Sequence, residues 1–65
     1  MGEVVGVVIE QLPSRLYRVK LDSSVVTAHI ADRIDRNFIS VLVGDRVRVE
    51  LSAVDVTRGR IVAKI

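Results

Sequence analysis

The chain has 65 residues, of which 49% are hydrophobic, and carries a formal net charge of +2 with no cysteine and one histidine. This length predicts a single domain, residues 1–65, near the lower limit for folding without a disulfide or a structural metal. The missing cysteines exclude disulfides and thiolate metal sites. The core must therefore come from aliphatic packing, to which fourteen valines contribute and which favours β-structure.

The sequence has no apolar run of 18 residues and no N-terminal signal pattern, which argues against a membrane or secreted protein. We expect a cytoplasmic protein, with which the lack of cysteine is compatible.

Residues 3–11 predict a long first strand with Gly6 in its interior. A glycine there indicates a bend, a bulge or a close backbone approach. Leu12-Pro13-Ser14 ends this strand, because proline cannot continue a central ladder.

Residues 15–21 and 25–30 alternate with period two and predict the second and third strands, joined by a turn over residues 22–24. This turn has no glycine, which makes a tight primed turn less favourable. The residues that the alternation places on the core faces of these strands are Tyr17, Val19, Leu21, Val26, Ala28 and Ile30.

Residues 31–41 break the alternation. Ile34, Phe38 and Val41 (or Leu42) are spaced by three or four, which predicts a short helix that covers one barrel end. Asp32 could cap this helix, and its outward residues are then Arg33, Arg36 and Asn37.

Gly44-Asp45 predicts a turn, after which residues 46–51 alternate as a fourth strand. Its two faces differ: one carries Arg46, Arg48 and Glu50, the other Val47, Val49 and Leu51. Thr57-Arg58-Gly59 is interpreted as the next turn, and residues 60–65 as the fifth strand.

Five strands with a helix between the third and fourth predict an all-β OB-fold, a five-stranded Greek-key barrel. An SH3-like barrel is the alternative, although it does not predict the helix.

An enzyme is not expected, since nothing forces a nucleophile, a base and an orienting group together. The sequence has no metal-ligand spacing and no phosphate-binding glycine loop, so neither a metal, a cofactor nor a small-molecule substrate is expected.

RNA binding is the favoured function, because OB-folds bind oligonucleotides on strands two and three and on two flanking loops. Eight of the ten basic residues are arginine, whose planar fork suits phosphate. We expect the acids Glu3, Glu10, Asp22 and Asp55 to lie largely elsewhere. The residues expected to form one positive surface with its loops are Arg15, Arg18, Lys20, Thr27, His29, Arg46, Arg48, Arg58 and Arg60.

Tyr17 and Phe38 are the only aromatic residues, and both are assigned to the core. Because base stacking needs exposed aromatics, contact with RNA would rest on arginine and phosphate and on the shape of the RNA. His29 is interpreted as a surface hydrogen-bonding residue rather than a catalytic one.

The sequence resembles the bacterial translation initiation factor 1 family over nearly its whole length. The segments that carry the resemblance are Leu12-Pro13, Tyr17-Arg18-Val19, Val26-Thr-Ala-His-Ile30, Arg36-Asn37-Phe38-Ile39, Leu42-Val-Gly-Asp-Arg-Val47, Val49-Glu-Leu51 and Asp55-Val-Thr-Arg-Gly-Arg-Ile-Val62.

The resemblance implies an S1-like OB-fold that binds the aminoacyl-tRNA site of the small ribosomal subunit. It implies contacts with ribosomal RNA and a ribosomal protein, and cooperation with the other initiation factors. The residues that match the family's motifs are His29, Arg36, Asn37, Phe38, Arg46, Arg58, Gly59 and Arg60.

Two alternatives remain. Asp32, Asp35 and Ala53-Val54 depart from the family pattern, which favours a generic module for structured RNA. The valine-rich strands also fit a simplified, engineered OB scaffold with little retained binding.

Overall fold

A computed structural model describes residues 2–31 and 40–65. The bounds of the strands are Glu3–Leu12 for β1, Leu16–Lys20 for β2, Val25–Ile30 for β3, Arg46–Leu51 for β4 and Arg58–Lys64 for β5. Strands β1 and β2 form the first hairpin, and β3 follows after a short turn. Strands β4 and β5 come after the segment 32–39.

The five strands close into a barrel in the order β1-β2-β3-β5-β4, with β4 paired back onto β1. The β3–β5 pair is parallel and the other four are antiparallel. The five-stranded all-β barrel expected from the sequence is thus confirmed, with OB-fold topology. The predicted short helix falls on residues 32–39, outside the described part of the chain.

The barrel interior is filled mainly by aliphatic side chains, to which every strand contributes. The buried hydrophobic residues are Val8, Tyr17, Val19, Val26, Ala28, Val41, Val47, Val49 and Ile61, with Leu21, Ile30 and Leu51 packed against them. The core faces predicted for β2, β3 and β4 are confirmed, and so is the assignment of Tyr17 to the core. Of the two residues considered for the end of the predicted helix, Val41 is buried and Leu42 is exposed.

Strand β5 begins at Arg58, two residues earlier than predicted, so the assignment of Arg58 and Gly59 to a turn is wrong. Both residues pair with β3, Arg58 opposite Thr27 and Gly59 opposite Ala28. Gly59 is buried, and a Cβ at this position would lie 2.7 Å from Val49 Cγ1. The glycine therefore permits close packing of β5 on β4 rather than a turn.

The long first strand has its bulge between Val8 and Glu10, beyond Gly6. Gly6 serves the close approach instead, since a Cβ there would lie 2.8 Å from the backbone oxygen of Lys20. At the end of the strand, the turn places Ser14 and Arg15 at φ of 65° and 61°. This left-handed conformation is uncommon for residues other than glycine.

The turn before β4 is tied to the end of β5 by Asp45. One oxygen of its carboxylate accepts a hydrogen bond from the Leu42 amide at 2.8 Å and lies 3.2 Å from Lys64 Nζ. Lys64 also donates to the Ser40 carbonyl at 2.9 Å. The hydrogen bond from Leu42, followed by that from Lys64, lowers the pKa of Asp45. The ionised carboxylate therefore favours the folded state.

We expect stability to fall in acid as Asp45 is protonated. A carboxyl whose pKa is lowered by folding stabilises the protein above its unfolded pKa of about 3.9, and the contribution is lost as pH falls through the folded pKa. Urea unfolding midpoints measured from pH 6 down to pH 2 should show this loss, and Asp45→Asn should reduce it. An equal pH dependence in both proteins would contradict this role.

Candidate nucleic-acid interface

A groove on the outside of the barrel runs across β2, β3 and β5, and His29 and Arg58 lie on both of its halves. One half lies toward β4 and is lined by Glu50, Ser52 and Arg60 among others. The other lies toward β2 and is lined by residues that include Leu16, Arg18, Val25, Thr27 and Thr57. His29 stands opposite Arg60 on one side and Leu16 on the other. The register thus brings five of the predicted RNA-binding residues together: Arg18, His29, Arg58, Gly59 and Arg60.

The β4–β5 loop, residues 52–57, is braced by its own side chains. Ser52 Oγ accepts hydrogen bonds from the Val54 and Asp55 amides, each at 3.2 Å. Asp55 Oδ1 accepts from the Thr57 hydroxyl at 2.6 Å and from its amide at 3.0 Å, and these bonds lower the pKa of Asp55. The Thr57 carbonyl in turn accepts from the Thr27 amide at 2.9 Å. Arg58 therefore directly follows a preorganised loop.

Three of the four acids expected to lie elsewhere, Glu3, Glu10 and Asp55, form ion pairs with arginines, so that expectation is wrong for them. Arg18 lies 3.7 Å from Glu10, Arg58 lies 3.7 Å from Asp55, and Arg60 is hydrogen-bonded to Glu50. Each arginine of the groove is thus paired with a carboxylate. Exposed pairs of this kind are worth about 0–1 kcal/mol, so a phosphate can compete for the guanidinium groups. The carboxylates still lower the attraction for RNA.

The remaining candidates lie outside this groove. Arg46 and Arg48 lie on β4 outside the lining of the groove, opposite Val7 and Val5 of β1. Lys20 lies on the same side, opposite Val7 of β1. The expected single positive surface is therefore divided in two. Arg15 lies in the β1–β2 turn. Four candidates fall outside the described residues: Arg33, Arg36, Asn37 and Phe38.

Sequence reasoning missed the residues that shape the groove. The alternation places Glu50 on the basic face of β4, but it does not predict the hydrogen bond from Arg60, ten residues further along the chain. The Asp55-Val56-Thr57 pattern is typical of an Asx turn and could have predicted the braced loop. The loop also exposes two aliphatic side chains, since Val54 is 96% and Val56 72% exposed.

The described part of the chain, residues 2–31 and 40–65, holds no group of three or more potential metal ligands. Within those residues no helix is long and apolar enough to cross a membrane.

The fold and the groove together indicate the class of protein to which this chain belongs. A five-stranded OB barrel with arginines on the face of β2 and β3 and at the β4–β5 loop has the oligonucleotide-binding arrangement of this fold. No protein-family model matches the sequence. A solved structure does: translation initiation factor 1 from the Wolbachia endosymbiont (strain TRS) of Brugia malayi matches with a TM-score of 0.81 at 37% sequence identity. The match covers 98% of this chain and 77% of that one. The chain belongs to the translation initiation factor 1 family.

Proposed function

We propose that this protein is an RNA-binding initiation factor that docks on the small ribosomal subunit at the aminoacyl-tRNA site. Membership of the family supports the general role, and the site on the subunit follows from the resemblance in sequence. The partners would be ribosomal RNA, a ribosomal protein and the other initiation factors, in the cytoplasm, with no catalytic step.

The groove over β3 and β5 carries this proposal. It collects guanidinium groups from β2 and β5 next to His29, and the braced β4–β5 loop fixes its end. Its described lining has no Phe, Tyr or Trp side chain, so His29 and the arginine planes are its only groups on which a base could stack. Recognition would therefore rest on phosphate contacts and on the shape of a folded RNA.

Titration of labelled protein with purified small ribosomal subunits at two salt concentrations tests the proposal. We expect saturable binding that weakens with salt, because each neutralised phosphate releases counterions, and that exceeds binding to an unrelated RNA hairpin. Equal affinity for the hairpin would instead indicate a generic module for structured RNA. Absence of binding to both by the folded protein would reject the RNA-binding function.

The ion pairs of the groove give a sharper test through a gain of affinity. Glu50 and Glu3 are directly opposite each other on β4 and β1, and each pairs with one arginine, Arg60 and Arg48 respectively. Glu50→Gln frees an arginine of the groove, whereas Glu3→Gln frees one outside it. Both remove one negative charge at nearly the same place.

We expect Glu50→Gln to raise affinity for the subunit about threefold, the size of one exposed ion pair, and Glu3→Gln to raise it less. Equilibrium binding at a single low salt concentration measures the difference. An equal gain from both variants would show that net charge alone matters, and not the position of the groove.

A further inference from the structure

The outer face of β1 carries a row of exposed aliphatic side chains. Val5, Val7 and Ile9 are 44%, 39% and 42% exposed, whereas the outward positions of β2 and β4 are mostly charged. Single exposed aliphatics are ordinary on a protein surface, but neighbouring ones form a patch of the kind that marks interaction sites. Core packing does not explain this row.

Two cations flank the middle of the row. Val7 is aligned with Lys20 on β2 and with Arg46 on β4. Arg15 makes an interaction of its own, and five other basic residues of the described chain pair with carboxylates: Arg18, Arg48, Arg58, Arg60 and Lys64. Within residues 2–31 and 40–65, Lys20 and Arg46 are the basic side chains without an ion pair.

A shallow depression joins these groups. Val5, Val7, Lys20 and Arg46 line it together with Leu21 and Asp22. Asp22 makes no ion pair with either cation within the described residues. The surface thus combines an apolar centre with an unneutralised positive charge on each side, which calls for a ligand with the opposite arrangement.

We propose that this β1 face, defined by Val5, Val7, Lys20 and Arg46, docks a partner protein through a short acidic and apolar segment. An aliphatic side chain of the partner would rest on the two valines, and carboxylates on either side of it would meet Lys20 and Arg46. The proposal assigns these two cations, expected to contact RNA, to a protein, and it does not depend on RNA binding by the groove.

The chemistry of the face favours protein over RNA. Branched aliphatic side chains offer no planar surface for a base to stack on, whereas apolar contacts at the centre of a patch are typical of protein interfaces. At Val7, the centre of this face, β1 is paired with β2 on one edge and with β4 on the other, so a partner cannot add a strand at this point. It must dock through side chains.

The spacing of the face defines a probe. Neighbouring strands lie about 4.8 Å apart, so the backbones of Lys20 and Arg46 are separated by roughly 10 Å. In an extended peptide, residues four apart lie on one face about 13 Å from each other, within reach of these long side chains. The probe is therefore the blocked peptide Ser-Glu-Ser-Leu-Ser-Glu-Ser, with a glutamine-for-glutamate version as control.

NMR titration of the isotope-labelled protein with this peptide tests the proposal. We expect saturable shifts of β1, Lys20 and Arg46 resonances that weaken with salt, and affinity about threefold lower for Lys20→Gln or Arg46→Gln. Arg58→Gln, in the groove, should bind the peptide as the wild type does. The double variant Lys20→Glu with Arg46→Glu should no longer bind the acidic peptide. It should instead bind a version of the peptide with lysine in place of glutamate.

Three outcomes would overturn the proposal. The first is no saturable shift from the folded protein, and the second is shifts confined to the groove. The third is displacement of the peptide from β1 by a short oligouridylate, which would assign the face to nucleic acid.

Discussion

Gly6→Ala is expected to lower the melting temperature of this protein by about 10–20 °C. A Cβ at this position would lie 2.5 Å from Val19 Cγ1 and 2.8 Å from both Leu21 Cδ2 and the backbone oxygen of Lys20. The Val19 side chain is fully buried, and the Lys20 carbonyl belongs to β2, which is paired with β1. Neither neighbour can yield without disturbing the barrel.

The size of the effect follows from the cost of overpacking. An inserted methyl group in a well-packed core costs roughly 1–3 kcal/mol, more than the gain of about 0.4–1 kcal/mol from a stiffer unfolded chain. The close contact with the Lys20 carbonyl places the cost of the methyl group near the upper end of this range. In a domain of this length, each kcal/mol shifts the melting temperature by about 4–8 °C, so we expect a fall of about 10–20 °C. Thermal unfolding followed by circular dichroism measures it.

Gly2→Ala is the matched control, because nothing lies within 4 Å of a Cβ built there. Its melting temperature should stay within a few degrees of the wild type. If the melting temperature of Gly6→Ala equalled that of Gly2→Ala, the predicted overpacking between β1 and β2 would be contradicted.

Arg58→Gln combined with Arg60→Gln is expected to weaken binding to the small ribosomal subunit by roughly fiftyfold at 0.1 M salt. Both arginines lie on β5 in the groove, and each phosphate contact contributes a slope of about 0.9 in log affinity against log salt. Losing two contacts should therefore lower the slope by nearly two. Titrations over a series of salt concentrations measure both quantities.

Arg58→Lys combined with Arg60→Lys is the matched control. It keeps the two charges and removes the planar forks, which are suited to bidentate phosphate contacts. We expect an intermediate affinity with most of the salt slope retained. Wild-type affinity and slope in the glutamine pair would contradict the placement of RNA in this groove.

The local pattern of the sequence was enough to determine most of the barrel. Period-two alternation predicted β3 and β4 with the bounds that the structure has, and it placed Tyr17 and Val19 in the core. Alternation works here because successive side chains of a strand point to opposite faces, so a strand that is half buried shows its burial in its own sequence. The lack of cysteine and the valine content likewise fixed what kind of core was possible.

The tertiary structure decided which charges are neighbours, because that depends on strand order and register rather than on position along the chain. Because β5 pairs in parallel with β3 from Arg58 onward, it begins two residues before the start predicted from the sequence. The pairing of β4 with β1 and β5 placed Arg46 beside Val7 and joined Glu50 to Arg60. The one basic surface expected from the sequence is therefore two surfaces: a groove of paired arginines, and a separate apolar face with two cations that form no ion pair within the described residues. Period-two alternation assigns a side chain to a face of its strand but does not identify its neighbour on another strand.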